Sequence, residues 1–187
     1  MIDEVQFAKS SPWVIRFYPL IPDGGKVLDL ACGDGRHAVP LANTGYNVTA
    51  VDKDLSALPT HERIEQVEAN FEDGSLWPLS QKTFDGIVVT NYLHRPLFPI
   101  LIDSLVPGGV LIYETFAAGN EAFGRPKNPR FLLKPRELID AFSSRMFIVA
   151  YENGRVTTPR PAVVQRFTGI KQSQFDQIPL ISQATTE

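Results

Sequence analysis

An open α/β fold is predicted, with a seven-stranded, mostly parallel sheet, helices on both faces and an antiparallel hairpin at its C-terminal end. Three observations predict it. Short apolar runs alternate with helical segments from residue 26 to residue 116. The first run enters a glycine-rich turn, Cys32-Gly33-Asp34-Gly35, that opens a helix. The last two runs, 146–151 and 162–168, follow each other with no helical pattern between them.

The elements can be justified in order. Ser11-Pro12 before WVIRFYPLI is a helix start, because serine accepts an orphan backbone N–H and proline suits the first helical position. Residues 26–31, KVLDLA, form a strand that runs into CGDG, and RHAVPLANTG reads as the following helix, ended by Gly45. Pro40 lacks a backbone donor, which predicts a kink or a late helix start. Residues 46–51 are a second strand, ending at Asp52 and Asp54. The segment LSALPTHER before the third strand, 64–69, is too short and proline-broken for a full crossover helix.

Residues 84–90, FDGIVVT, are apolar enough for a central strand buried on both faces. Leu97, Phe98, Leu101, Ile102 and Leu105 recur at helical spacing between 96 and 105, before PGG and a fifth strand, VLIYETF. Residues 134–142 form a last helix, with Pro135 at its start and Glu137 in the first turn. Residues 146–151 and 162–168 make the hairpin, with Asn153-Gly154 as the turn signal. The order is Rossmann-like, and ligands in such sheets bind beyond the carboxyl ends of the strands.

A chain of 187 residues accommodates one domain with a real core. The expected division is an N-terminal helical lid segment over 1–24, the main domain over 25–170 and a polar tail over 171–187. A formal net charge of −3 lacks the positive field that phosphate neutralisation needs, so nucleic acid is not expected as a partner. The exception is the loop GRPKNPR, where Arg125, Lys127 and Arg130 form either a small anion site or a solvated surface. Cys32 is the single cysteine, which excludes an internal disulfide and fits a reducing compartment. The start MIDEVQFAKSS lacks the pattern of a signal peptide and no apolar run is long enough to cross a bilayer, so the expected location is cytoplasmic. Three scattered histidines and a lone cysteine offer no metal-ligand spacing, and no metal is expected.

Gly33 and Gly35 let backbone approach a ligand closely, and with Ala38 they satisfy the G-x-G-x-x-G/A pattern of dinucleotide binders, with Asp52 seventeen positions after Gly35. Asp29, four residues before Gly33, argues against a pyrophosphate and for a ligand that carries cations. VLDLACGDG followed by VTAVDKD resembles motif I and the acidic strand end of the class I S-adenosylmethionine-dependent methyltransferases. RHAVPLANTGYNVTAVDKD is especially similar to the small tellurite-resistance-like branch. The resemblance covers about residues 26–116 by motif and the final hairpin by topology.

That resemblance implies S-adenosyl-L-methionine as the cofactor. It places Gly33 and Gly35, with Ala31, under its methionine part and has Asp29 order the loop. Asp52, beside Lys53, takes the ribose hydroxyls, a role suited to two acceptor oxygens. Where the family carries an acidic residue near the adenine amino group, this chain has Asn70 and Phe71, so an amide carbonyl would accept there and an aromatic ring would flank the base. Asn91 matches the position whose backbone carbonyl meets the cofactor's ammonium, and Arg36 is suited to its carboxylate.

The substrate end is NYLHRP, leaving the fourth strand. It lacks the NPPY-type signature of amino-directed nucleic-acid methyltransferases. His94 is the candidate general base, with Tyr92 and Glu114 as orienters; Arg95 and Arg125 are candidate substrate contacts. The expected function is methyl transfer to a small molecule. Two other readings stay open: a binding or interaction protein that keeps the cofactor pocket without turnover, and a methyltransferase acting on protein or RNA. A nicotinamide oxidoreductase would use the same glycines but is opposed by Asp29 and the terminal hairpin.

Overall fold

A computed structural model describes residues 9–171. Seven strands form one sheet: β1 (Lys26–Leu30), β2 (Asn47–Asp52), β3 (Ile64–Glu68), β4 (Phe84–Thr90), β5 (Leu105–Phe116), β6 (Met146–Val156) and β7 (Ala162–Lys171). Their spatial order is β3-β2-β1-β4-β5-β7-β6. The first five are parallel, and β7 is antiparallel to both β5 and β6. The order reverses between β1 and β4, so the loops after these two strands diverge and leave a crevice at their carboxyl ends.

Four short helices cover the two faces: α1 (Pro12–Phe17), α2 (Ala38–Asn43), α3 (Leu97–Asp103) and α4 (Glu137–Phe142). Trp13, Val14 and Phe17 of α1 and Ala38, Leu41 and Ala42 of α2 share one core with Val27, Val48 and Val88. Leu97, Phe98 and Leu101 of α3 and Leu138 and Phe142 of α4 share the other with Leu28, Val89 and Phe167. Alternate residues of each central strand therefore feed opposite cores, which is why β1 and β4 are apolar almost throughout.

Local chemistry accounts for most boundaries. The Ser11 side chain accepts the Trp13 N–H, capping α1. Pro40 is the third residue of α2, where its missing donor breaks no bond inside the helix, and the helix starts late, at Ala38. Between β2 and β3 the described chain makes turns only, and the shortened crossover leaves the outer face of β3 largely exposed. At α4 the difference is local: Arg136 takes a left-handed conformation and Glu137 is the first helical residue, so Pro135 lies outside the helix.

The hairpin turns at a different place from the one its dipeptide indicates. Asn153 and Gly154 lie within β6, paired with Gln165 and Val164, and the chain reverses over residues 157–161. Pro159 and Pro161 cannot donate to a ladder, which confines the reversal to their segment. Asn153-Gly154 is tolerated in the strand because β6 is the sheet edge and both residues are exposed. The proposed polar tail, apart from Lys171 at the end of β7, lies outside the described residues.

Candidate active site

The crevice at the end of β1 and β4 holds a cavity of about 400 Å³. Its floor is the glycine turn with Ala31, Cys32, Gly33 and Asp34; Asp52 and Lys53 enter from β2, Asn70 and Phe71 from β3, and Thr90, Asn91 and Tyr92 from β4. Four strand ends thus converge on one ligand-sized space. Ala31 and Asn91 have φ near +56° and +55°, left-handed conformations that non-glycine residues adopt at a cost and that cluster at binding sites. At Gly33, φ is +55° and an added Cβ would meet nothing within 4 Å, so its backbone is open to whatever occupies the cleft.

Asp52 is the organising carboxylate. Its Oδ2 accepts the Gly33 N–H at 2.8 Å and its Oδ1 accepts the Asp54 N–H at 3.2 Å. Asp29 lies beneath the loop, 1% exposed, and does not line the cavity. One of its interactions is with the Ala38 N–H at the start of α2, while its Oδ2 is buried without a partner. Burial pushes its pKa from 3.8 up to about 7, against the Ala38 bond and the Arg36 charge. Burial, then Asp29 and Asp52, push the Cys32 thiol up to about 12, which makes it inert at neutral pH.

Arg36 donates to Thr90 Oγ1 at 3.0 Å, and its carbonyl accepts from the Ser10 hydroxyl at 2.6 Å. Next to it, His37 is 1% exposed and accepts the Ser11 N–H on Nε2 at 3.0 Å. That bond requires Nδ1 to carry the ring proton, toward Thr90 Oγ1 at 3.5 Å. Residues 10–11 are thus hooked onto the start of α2 beside the cleft.

Burial, then the Arg36 charge, push the pKa of His37 from 6.5 down to about 3. The unfolded chain takes up a proton below pH 6.5 that the folded one refuses until about pH 3, so this contribution to stability is lost as pH falls through that window. Asp29 acts oppositely, since its raised pKa removes stability as pH rises from 3.8 to about 7. His37→Gln isolates the first effect. In urea unfolding the wild type should lose about 2 kcal/mol relative to the variant between pH 7 and 4.5. A pH-independent difference would contradict a neutral buried His37.

A second cavity, about 540 Å³, adjoins the first, and Arg36 and Asn91 line both. Its walls come from the residues before α1, from β5 and from the β6–β7 turn. Glu114 faces this cavity. It pairs with Arg166 directly across the β5–β7 ladder, and Arg166 reaches on to Glu152 on β6 at 3.0 Å.

The other candidates are dispersed. Tyr92 lines the first cavity; burial and a hydrogen bond to the nearby Glu72 carboxylate keep its phenol protonated well above its ordinary range. His94 is half-buried and lines neither cavity, its carbonyl accepting the Leu97 N–H where α3 begins. Arg95 grips both oxygens of Glu137 and donates to the Arg130 and Leu132 carbonyls, tying the 117–133 loop to α4. Arg125 is exposed and lines neither cavity. Among the described residues no group of acidic, histidine and cysteine side chains has a metal-binding arrangement.

Sequence reading missed Thr90, which holds Arg36, and Arg166, which holds Glu114. Only the β5–β7 register could have found Arg166, because it sets this basic residue opposite Glu114. The register was not legible while the hairpin turn was set at Asn153-Gly154.

A family described as a methyltransferase domain matches residues 3–150. The chain belongs to this family. The class I resemblance carried by VLDLACGDG and VTAVDKD therefore holds. The methyltransferase domain spans less than half the length of the curated relatives it matches. Protein-L-isoaspartate O-methyltransferase of Chlorobaculum tepidum is 35% identical over 101 residues, 47% of this chain and 43% of that one. Trans-aconitate 2-methyltransferase of Variovorax paradoxus is 31% identical over 99 residues, 49% and 38% of the two. Among solved structures, TehB from Haemophilus influenzae superposes with a TM-score of 0.71 at 17% identity, covering 90% of this chain and 65% of its own. The glycopeptide N-methyltransferase MtfA complexed with S-adenosyl-L-homocysteine gives 0.60 at 18%, covering 86% and 89%. These likenesses establish the shared sheet and helices. Among the described residues no helix is long and apolar enough to cross a membrane.

Proposed function

We propose that this domain transfers a methyl group from S-adenosylmethionine to a small molecule held in the second cavity. The observation that carries the reading is the pair of adjoining cavities, one built from the family's cofactor motifs and one not, meeting at Arg36 and Asn91. The donor set fits the cofactor. Asp52 offers carboxylate oxygens for the ribose diol, Gly33 an open backbone for the methionine part, and Arg36 a guanidinium for the carboxylate. Asn91 would offer its carbonyl to the ammonium, and Phe71, tilted by 32° against Trp77 with ring centroids 5.3 Å apart, would give the adenine an apolar wall.

When bound, S-adenosylmethionine supplies a methyl group already activated by its sulfonium. The protein's task is to hold the acceptor in line and keep water away, and positioning of this kind is worth several kcal/mol. A proton acceptor is needed only if the acceptor atom carries a proton. What supports Glu114 over His94 for that task is that Glu114 lines the second cavity, with Oε2 held by Arg166. Tyr92, kept protonated by burial and by Glu72, lines the cofactor side with its O–H turned to that carboxylate. The single buried thiol fits a reducing, cytoplasmic setting.

The test is titration calorimetry with S-adenosylhomocysteine and with NAD. The expected result is micromolar binding of the first and no heat from the second. NAD binding, or silence from S-adenosylhomocysteine, would refute the assignment.

A further inference from the structure

The charges lining the second cavity do not balance. Lys9, Arg36, Arg160 and Arg166 face it with a single carboxylate, Glu114. Arg166 is already neutralised, by Glu114 and Glu152. Arg36 is shared with the cofactor cleft, where it is held on Thr90. That leaves Lys9 and Arg160, neither of which has an ion-pair partner among the described residues. They come from separate elements, the turn before α1 and the β6–β7 turn, and the chain as a whole carries −3. This concentration of cations is therefore local and not a reflection of a generally basic surface.

Part of the remaining lining is apolar, with Phe116, Val156, Ala162 and Val164 forming a wall, while Ser10, Ser11, Asn91 and Thr158 add neutral polar groups. A space of about 540 Å³ with an apolar wall and unbalanced cations suits a ligand with an apolar body and a negative head. Lys9 and Arg160 are exposed at the rim, so a neutral acceptor would leave them to solvent, whereas an anionic head would pair with both. We propose that the methyl acceptor is a small organic anion, its acidic head group bound by Lys9 and Arg160 and its apolar body lying along Phe116 and Val164. The proposal rests on the cavity's being the acceptor site. An arginine fork matches carboxylate and phosphate alike, so the shared chemistry is an oxyanion.

The proposal is tested by calorimetry on the full chain saturated with S-adenosylhomocysteine, using benzoate and cinnamate, their neutral amides, and phenyl phosphate. The anions should bind at least about tenfold tighter than the amides. Phenyl phosphate binding above benzoate would identify a phosphate head, and the reverse a carboxylate. The double substitution Lys9→Gln, Arg160→Gln should abolish the preference for anions and leave S-adenosylhomocysteine affinity intact, which also shows that the variant is folded. Amides binding as well as acids, a preference that survives the double substitution, or no probe binding to the loaded protein would overturn the proposal. Failure of S-adenosylhomocysteine itself to bind would instead overturn the cofactor assignment.

Discussion

Asp52→Ala is expected to weaken S-adenosylhomocysteine binding by roughly 100-fold, about 2.7 kcal/mol. Two losses combine. The ribose hydroxyls lose a charged acceptor, and charge-assisted bonds of this kind are each worth about 1.5–3 kcal/mol. The Gly33 N–H loses its 2.8 Å partner, so the glycine turn is no longer anchored to the end of β2. Asp52→Asn retains an acceptor oxygen but not the charge and should fall between the two, near tenfold. Calorimetry separates the cases, and urea unfolding shows whether the fold is intact, since Asp52 is only partly buried at the edge of the cleft. Unchanged affinity in Asp52→Ala would remove this residue from the cofactor site.

The largest loss of stability is expected from Phe142→Ala. Phe142 is fully buried and packs on Phe98 at 5.3 Å, Phe167 at 5.2 Å and Tyr113 at 6.2 Å between ring centroids. It therefore joins α4 to α3, β5 and β7. Neighbours that are themselves rigid rings close a cavity poorly, so the cost should lie at about 3–5 kcal/mol. For a chain of this size that lowers the Tm by about 10 °C. Phe142→Leu leaves a smaller void and should cost less than half as much. Phe142 itself lines neither cavity, so binding at low temperature should persist while the unfolding midpoint falls. A Tm within about 2 °C of wild type would contradict this account of the core.

How much was legible follows the range of the interactions. The strands at 26–30, 47–52 and 84–90, the Ser11 cap and the glycine turn rest on neighbouring residues, and these matched almost residue by residue. Pro40 also obeyed a local rule, once the late start of α2 put it in the first turn. The hairpin did not. Asn153-Gly154 is a turn signal by conformational preference, but the pairing of β6 with β7 along ten positions outweighs that preference and moves the reversal to the proline-bearing segment. The same long-range register sets Arg166 opposite Glu114, and no local pattern carried that.

The candidate site divides in the same way. Asp52, Gly33, Asn70, Phe71 and Asn91 all line one cavity because each sits at the end of a parallel strand, so motif and topology together place them at one edge of the sheet. His94, Arg95 and Arg125 lie past such ends, in segments whose course depends on packing. There Arg95 is taken up by Glu137 and two backbone carbonyls, and His94 faces neither cavity.

By itself the sequence determined the family, the sheet and several of the residues that line the first cavity, because these depend on short periodicities and on glycines and carboxylates at fixed offsets along one strand and its turn. Only the tertiary structure decided what lines the second cavity. The second cavity joins residues 9–12, 36, 91, 114, 116 and several between 156 and 166, separated by up to 55 positions from one part of the lining to the next. Their meeting is set by the antiparallel insertion of β7 between β5 and β6, a consequence of side-chain packing and ladder register that no local stretch of chain encodes.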